Sequence, residues 1–173
     1  MTVRRAEPAD AAAIGAVHVA AWRSAYPGIL PEAYLARLSA FRQARHYEIA
    51  IRMGAIVHVA VMQGRVVGFA TAGPARGTRL ADGEIETLYV ADDWRDRGLG
   101  RALMHASAAA LAAAGCRDVF LWVLRDNPNR WFYTRLGGRP AAEGQVHVAD
   151  VLVAQTAFVW SPISLLLAPA AGA

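Results

Sequence analysis

Two glycines one residue apart, Gly98 and Gly100, stand just before a long alanine-rich segment typical of a helix. Such glycines let the backbone turn tightly and bring successive N–H groups close to a ligand. The first turn of the following helix adds unpaired donors and the positive end of its dipole. Arg95, Arg97 and Arg101 add positive charge around the turn. This combination predicts a site for a phosphate or a pyrophosphate.

Two known phosphate-binding patterns do not fit this turn. The dinucleotide fingerprint needs a third glycine, and Leu103 occupies that position. The P-loop needs a lysine, but all 18 basic residues of the chain are arginine. The absence of lysine also excludes Schiff-base chemistry. Because Cys116 is the single cysteine, an intramolecular disulfide and a cysteine-based zinc site are excluded, and we expect no bound metal.

The length and composition of the chain describe the domain that must hold this turn. The 173 residues, 55% of them hydrophobic and 18% charged, predict one globular domain over residues 1–160. No apolar run is long enough for a membrane helix, and no signal-peptide pattern is present, so we expect a cytoplasmic protein without a membrane partner. The net charge of +4 favours anionic partners, but the arginines are scattered, so we expect no nucleic acid.

The hydrophobic pattern predicts alternating helices and strands around one mixed sheet, an α+β fold. The strand before the glycine turn runs from Glu84 to Val90. Simple alternation places Glu84, Glu86, Leu88 and Val90 on one face and Ile85, Thr87 and Tyr89 on the other. The remaining predicted strands are 3–5, 56–62, 65–70, 119–124 and one or two within 146–160, and the predicted helices begin near Pro8, Pro31, Phe41, Arg101 and Pro128.

The pattern Arg/Gln-x-x-Gly-x-Gly/Ala, here Arg95 to Gly100, directly follows a strand that ends Leu88-Tyr89-Val90. This arrangement closely resembles the GNAT superfamily of acyl-CoA-dependent N-acyltransferases. The stretches 121–128 and 131–137 are similar to a later strand and helix of that family, and 4–10 and 18–26 are similar to its amino-terminal strand and helix. The resemblance implies a mixed, mostly antiparallel twisted sheet of about seven strands, flanked by helices.

The chain departs from the family pattern at two places. The spacing from Asn127 to Tyr133 is one residue shorter than usual, so either Asn127 or Asp126 corresponds to the family's asparagine. Gly138 stands where the family usually has phenylalanine, which removes an aromatic core residue.

The resemblance also implies that the chain binds acetyl-CoA as a co-substrate and transfers its acetyl group to a primary amine by direct attack. The pantetheine would pair with strand backbone and the pyrophosphate would lie on the glycine turn. The residues implied for binding acetyl-CoA are Leu88, Tyr89, Val90, Arg95, Asp96, Arg97, Gly98, Leu99, Gly100, Arg101 and Asn127.

Acid–base roles follow from the same resemblance. A free alkyl amine has a pKa of about 10, so a base or a water chain must take its proton. Glu84 and Glu86 rank nearly equally as that base, and each is otherwise an arginine-paired or solvated carboxylate. Val90 N–H would stabilise the oxyanion. Tyr133 corresponds to the family's general acid and is otherwise a tyrosine packed on a helix face.

The acceptor and the assembly are less constrained by the sequence. Trp22 and Tyr26 either wall the acceptor side or belong to the core, and the amine belongs to a small molecule or a peptide. A homodimer is a common state in the family. The alternative function is a catalytically silent acyl-CoA-binding sensor or regulatory module. The apolar tail over residues 161–173 is expected to be disordered or a minor packing element, against the alternative of a partner-binding segment.

Overall fold

The computed structural model of the chain describes residues 1–77 and 79–168. Short 3₁₀ turns at Pro8–Asp10 and Asp92–Trp94 precede two of its helices. Within the described residues, the strands and helices are, in chain order, β1 (Thr2–Arg5), α1 (Ala11–Ala25), α2 (Glu32–Ala36), α3 (Ala40–Arg52), β2 (Ile56–Met62), β3 (Arg65–Pro74), β4 (Gly83–Val90), α4 (Leu99–Ala113), β5 (Val119–Leu124), α5 (Trp131–Arg135), β6 (Arg139–Val148), β7 (Val151–Trp160) and α6 (Ser164–Leu167).

The seven strands of the described residues form one sheet in the order β1-β2-β3-β4-β5-β7-β6. Neighbouring strands are antiparallel, except that β4 and β5 are parallel. A parallel pair needs a long crossover connection, and the segment that contains α4 supplies it. The predicted α+β fold, with a mixed and mostly antiparallel sheet of seven strands flanked by helices, is confirmed.

Helices cover both faces of this sheet. On one face, here called the α4 face, Leu103 and Met104 of α4 are fully buried against strand residues. On the opposite face, the α1 face, Ile14 of α1 and Tyr47 of α3 pack against Phe69 of β3. Strand β4 therefore runs through the middle of the molecule with a helical layer on each side.

Strand β4 contains a β-bulge at Glu86. In the antiparallel pairing with β3, Thr87 lies opposite Thr71 and Ile85 lies opposite Ala72, so Glu86 has no residue of its own opposite it. Such an extra residue breaks the two-residue alternation of side chains along a strand.

The bulge corrects the predicted faces of β4. Simple alternation separates Ile85 from Leu88 and Val90, but all three pack on the α4 face. Glu86 and Thr87 are neighbours in sequence, yet both side chains hydrogen-bond to the same β3 residue on the α1 face. The prediction that Glu86 shares a face with Leu88 and Val90 is wrong because the extra residue shifts the alternation by one position.

The final hairpin is longer than predicted. The sequence indicates one or two strands between Val146 and Trp160, whereas β6 already begins at Arg139. Pro140 and Gly144 interrupt the strand pattern of β6. Because β6 lies at the edge of the sheet, a proline is tolerated there.

The indole of Trp160 fills the space beside Gly138, where the family pattern predicts an aromatic residue. A Cβ atom on Gly138 would lie 2.5 Å from Trp160 Cζ2 and 2.9 Å from the Tyr133 carbonyl oxygen. Trp160 Nε1 also donates a hydrogen bond to the Leu136 carbonyl at 2.9 Å. The aromatic anchor of this turn thus comes from β7, and helix α5 is shorter than the predicted span from Pro128.

The predicted apolar tail contains a short helix, α6. Ile163 and Leu166 are buried with the core of the α4 face. Residues 169–173 of the predicted tail lie outside the described residues. Within the described part of the chain, no helix has both the length and the apolar character that crossing a membrane requires.

Candidate active site

The parallel strands β4 and β5 separate soon after they begin. Among the described residues, they pair only at Gly83 with Val119 and at Glu84 with Phe120. A cavity of about 500 Å³ lies where the strands diverge. Backbone N–H and C=O groups on the inner edges of such a gap need hydrogen-bond partners. The gap therefore fits an extended ligand that carries amide groups of its own.

Most of the predicted site residues lie around this cavity. The exceptions are Glu84 and Arg97, which do not line it. The predicted residues that line it are Glu86, Leu88, Tyr89, Val90, Arg95, Asp96, Gly98, Leu99, Gly100, Arg101, Asn127 and Tyr133.

The glycine turn places the beginning of α4 at one end of the cavity. Gly98 has a left-handed backbone with φ of 76° and ψ of 0°, a conformation in which a side chain is strained. At Gly100, a Cβ atom would lie 3.1 Å from Phe132 Cζ, so the absence of a side chain allows α5 to approach the turn closely. The 15-residue helix α4 then directs its unpaired N–H groups and positive dipole end towards the cavity.

The arginines of the turn differ in their orientation. Arg95 lines the cavity, and its Nη2 atom lies 2.6 Å from Asp92 Oδ1. Arg101 lines the cavity as well. The Arg97 guanidinium instead lies over the Trp94 ring, 5.0 Å from its centroid. Arg95 and Arg101 are therefore the two cations of the turn that can contact an anionic ligand.

Tyr133 of α5 lines the opposite wall of the cavity. Its ring packs near Phe158 and Trp160, with centroid distances of 5.8 and 6.4 Å. Burial, with a smaller contribution from Tyr26, raises the pKa of the Tyr133 hydroxyl above its usual value. The hydroxyl therefore stays protonated at neutral pH and is available as a proton donor.

The alternative positions Asn127 and Asp126 differ in burial. Asn127 is 9% exposed and lines the cavity, and its Oδ1 accepts a hydrogen bond from the Asn129 backbone at 2.8 Å. The Asp126 side chain is 71% exposed and lies 3.9 Å from Arg125. Asn127 also lies near the hydroxyl of Tyr26 and lowers its pKa, against the larger effect of burial. Asn127 is thus the residue of this pair that can contact a ligand in the cavity.

The two predicted base candidates, Glu84 and Glu86, share the α1 side of β4 but have different surroundings. Glu86 is exposed and lines the cavity. Glu84 is half-buried, and its pKa is raised by burial and by the charge of Glu86, against the opposing effect of Arg76. Of the two carboxylates, Glu86 is the one that can meet an acceptor amine in the cavity.

Four residues near Glu86 or linked to its surroundings were not singled out as functional by the sequence. Thr71 of β3 donates a hydrogen bond to Glu86 Oε2 at 3.2 Å, and its hydroxyl lies 2.8 Å from that of Thr87. Farther from the cavity, His18 Nδ1 lies 2.8 Å from the Tyr47 hydroxyl. These residues are far apart in sequence, and only the strand register and the bulge would have revealed their proximity.

The side of the cavity away from the glycine turn has mostly apolar walls. Trp22 of α1 and Tyr26, the residue directly after α1, line it, with their rings 5.1 Å apart in an edge-to-face arrangement. Val146 and Val148 of β6 and Trp122 of β5 complete this wall. Trp22 and Tyr26, predicted either as an acceptor wall or as core, thus contact both the core and the cavity.

Comparison with known proteins gives the same assignment along most of the chain. The family described as Acetyltransferase (GNAT) matches residues 18–138. The chain is 32% identical over 170 residues to the Uncharacterized N-acetyltransferase YuaI of Bacillus subtilis (strain 168), with 96% of each chain covered. It is 33% identical over 123 residues to the Aminoglycoside N(6')-acetyltransferase type 1 of Stenotrophomonas maltophilia, which covers 68% of this chain and 72% of the relative.

A solved structure shows the same fold. The structure of yncA from Salmonella typhimurium with its cofactor acetyl-CoA aligns with a TM-score of 0.69 at 22% identity, covering 99% of this chain and 96% of the other. The widening gap between β4 and β5 and the glycine turn before α4 fit acetyl-CoA as a co-substrate here. The chain therefore belongs to the GNAT family and is an acetyl-CoA-dependent N-acyltransferase.

Proposed function

We propose that the protein acetylates a primary amine by direct attack within a ternary complex, with Glu86 as general base and Tyr133 as general acid. The observation that carries this proposal is that Glu86 from β4 and Tyr133 from α5 line one cavity, at the place where β4 and β5 separate. A carboxylate that accepts a proton and a phenol that retains one are the two groups the reaction needs.

The glycine turn and the two strands hold the donor in this proposal. The N–H groups at the start of α4, together with Arg95 and Arg101, bind the pyrophosphate. The backbone of Leu88 and Val90 pairs with the amide groups of the pantetheine. Acetyl-CoA then supplies an acyl carbon activated as a thioester. Asn127, buried beside the gap, keeps the chain between β5 and α5 in place.

Proton transfer during the reaction is assigned to three groups of the protein. The ammonium form of the acceptor first loses a proton to solvent, and Glu86 then accepts the second proton, which the neutral amine nitrogen loses as the new C–N bond forms. The backbone N–H of Val90 donates to the acyl oxygen as negative charge develops there. Tyr133 donates its proton to the sulfur as the C–S bond breaks, which gives the amide and CoA as products. Solvent then restores the proton of Tyr133 and removes that of Glu86.

The walls of the cavity favour an acceptor with one amine on a small apolar or aromatic body. Trp22, Tyr26 and Trp122 provide flat surfaces that pack against such a body and attract a cationic amine before it loses its proton. Among the described residues, the acidic side chains that line the cavity are Glu86 and Asp96, and Asp96 belongs to the glycine turn. A polycationic acceptor such as an aminoglycoside would find few carboxylates here.

The deciding experiment compares Glu86→Gln with Glu84→Gln by following release of the CoA thiol with an arylalkyl monoamine as acceptor. We expect a loss in kcat of roughly 10²–10⁴-fold for Glu86→Gln and a change within a few-fold for Glu84→Gln. Thermal unfolding with acetyl-CoA checks that both variants still bind the donor.

Each alternative gives a distinct outcome. A large loss for Glu84→Gln alone would transfer the base to that residue, and no loss for either would favour a water chain. Donor binding without turnover on any amine of a broad panel would favour the silent acyl-CoA sensor. Turnover of an aminoglycoside at a higher kcat/KM than any monoamine would contradict the proposed acceptor class.

A further inference from the structure

A line of polar side chains, made of two hydrogen-bonded segments, runs from the buried contact between α1 and α3 to the cavity. Its members, here called the hydroxyl chain, are His18, Tyr47, Thr87, Thr71 and Glu86. Three hydrogen bonds belong to this line: His18 Nδ1 to the Tyr47 hydroxyl at 2.8 Å, Thr87 to Thr71 at 2.8 Å and Thr71 to Glu86 Oε2 at 3.2 Å. The Tyr47 hydroxyl lies beside Thr87, so the two hydrogen-bonded segments meet there.

The hydroxyl chain is buried at His18, Tyr47 and Thr71 and opens to the cavity at Thr87 and Glu86. His18, Tyr47 and Thr71 are 7%, 4% and 7% exposed, whereas Glu86 is exposed at the cavity. Buried polar groups that exchange hydrogen bonds only with one another are held in one arrangement, because any break leaves a donor or acceptor unpaired. The His18 end of the hydroxyl chain therefore lies in the core, and the Glu86 end lies in the candidate site.

Counting donors gives the chain one direction. A carboxylate only accepts, so the Thr71 hydroxyl donates to Glu86 and must accept from Thr87. Thr87 has then used its proton, so a hydrogen bond between Thr87 and the neighbouring Tyr47 hydroxyl needs Tyr47 as its donor. In that arrangement the Tyr47 oxygen accepts from His18, which requires a proton on His18 Nδ1.

The charge state of His18 agrees with this direction. Burial, with a smaller effect from His46, lowers the pKa of His18 to about 4. The ring is therefore neutral at physiological pH and carries a single N–H, which the hydroxyl chain places on Nδ1. Burial likewise raises the pKa of Tyr47, so its hydroxyl keeps the proton that it donates.

We propose that Thr71, Thr87, Tyr47 and His18 are positioning residues that hold the Glu86 carboxylate in the orientation needed to accept the proton of the attacking amine. This inference rests on the proposed role of Glu86 as general base. Fixing Oε2 on Thr71 leaves Oε1 as the oxygen that receives the proton. That oxygen lies beside Gly73, where a Cβ atom would meet it at an ordinary van der Waals distance of 3.6 Å.

The kinetic test removes one hydroxyl at a time. Thr71→Val keeps the shape of the side chain and breaks the link to Glu86, and we expect kcat to fall about 10-fold with KM for both substrates within 2-fold. Thr71→Ser restores the hydroxyl and should restore most of kcat. Tyr47→Phe tests the middle of the chain without touching Thr71, and should lower kcat several-fold.

A matched control removes an equally buried hydroxyl elsewhere. Thr156 is 1% exposed and donates to Glu143 between β7 and β6, away from the cavity lining. Thr156→Val should leave kcat within 2-fold. Equal losses in Thr71→Val and Thr156→Val, or no rescue by Thr71→Ser, would overturn the inference.

A second measurement does not depend on activity. Nitrogen-15 NMR of the imidazoles at pH 7.5 should show His18 protonated at Nδ1, and Tyr47→Phe should perturb that resonance. An Nε2–H form in the unmodified protein would reverse the donor direction and overturn the inference. The two proposals fail separately: a large loss of kcat in Glu86→Gln with unchanged kcat in Thr71→Val overturns only the hydroxyl chain, whereas unchanged kcat in Glu86→Gln overturns the base.

Discussion

The two faces of strand β4 perform different tasks with neighbouring residues. On the α4 face, Ile85, Leu88 and Val90 are apolar and pack on helix α4 and the core around it. On the α1 face, Glu86 and Thr87 enter a hydrogen-bonded network. The α4 face positions the donor site by packing, and the α1 face positions a carboxylate by hydrogen bonds. The bulge at Glu86 lets one strand serve both purposes.

The two halves of the site differ in how the sequence encodes them. The donor half follows one continuous stretch, from strand through glycine turn to helix. The proposed acceptor half is assembled from segments that meet only after folding, including His18, Tyr47, Thr71 and Glu86. Damage to the first half should therefore lower stability or donor binding, and damage to the second should lower turnover.

The largest expected effect is a loss of stability when the packing on the α4 face is disrupted. Leu103 is fully buried against β3 and β4, so Leu103→Ala should lower the free energy of unfolding by about 3–5 kcal/mol through lost contacts and a cavity. Urea unfolding measures the loss. The control is Leu165→Ala at a side chain that is 46% exposed, where the change should be below about 1 kcal/mol. Equal losses in both variants would argue against the packing described for α4.

Removing the proposed acid comes next and tests turnover rather than stability. Tyr133→Phe should lower kcat roughly 10²-fold, because the departing sulfur loses its proton donor, while the affinity for acetyl-CoA stays within about 2-fold. Isothermal titration and steady-state kinetics separate the two quantities. Tyr34→Phe, at a residue outside the cavity lining, is the matched control. A Tyr133→Phe enzyme with full kcat would refute the acid role.

Lowering the pH should lower the stability of the protein, because each face of the sheet holds a buried neutral histidine. Burial lowers the pKa of His18 on the α1 face and of His58 on the α4 face to about 4, with a smaller effect of His46 on the first and of Arg5 on the second. Between about pH 6.5 and 4 the unfolded chain binds these protons and the folded chain does not, so stability falls as pH falls through this window.

The size of this acid effect is on the order of 2–3 kcal/mol per histidine. Unfolding free energies measured from pH 7.5 to 4.5 should show a shallower slope in His58→Asn than in the unmodified protein, whatever the variant does to the plateau at pH 7.5. The exposed His147 provides the control, since His147→Asn should keep the original slope. An unchanged slope in His58→Asn would mean that His58 binds its proton in the folded protein.

The smallest expected effect distinguishes the two ends of α4. Gly98 before the helix and Gly115 after it both have left-handed backbones, with φ of 76° and 93°, and a Cβ atom at either position would meet open space. Alanine at either site should cost about 1–2 kcal/mol of stability from backbone strain alone. Only Gly98→Ala should also weaken acetyl-CoA binding, by several-fold in titration. Similar donor affinity in both variants would show that the turn does not contact the donor.

Prediction from the sequence succeeded where the determinants are local. The strand, the glycine turn and helix α4 follow from residues adjacent in the chain, and so does the order of most elements. The faces of β4 were predicted wrongly, because the bulge at Glu86 depends on the pairing with β3. The early start of β6 was missed because Pro140 weakens the strand signal at the sheet edge. The contact of Trp160 with Gly138 joins residues 22 positions apart and leaves no local signature.

The separation of β4 and β5 also gives the sheet two edges in its interior, where most sheets have none. An unpaired strand edge is usually a template for association with other chains, and proteins protect such edges by charge, twist or covering elements. Here the inner edges of β4 and β5 face a cavity walled by α1, α5 and β6, so other elements of the same fold cover both edges. The unpaired groups of an edge strand are thus kept inside the molecule, where a thin amide-bearing chain such as pantetheine can pair with them.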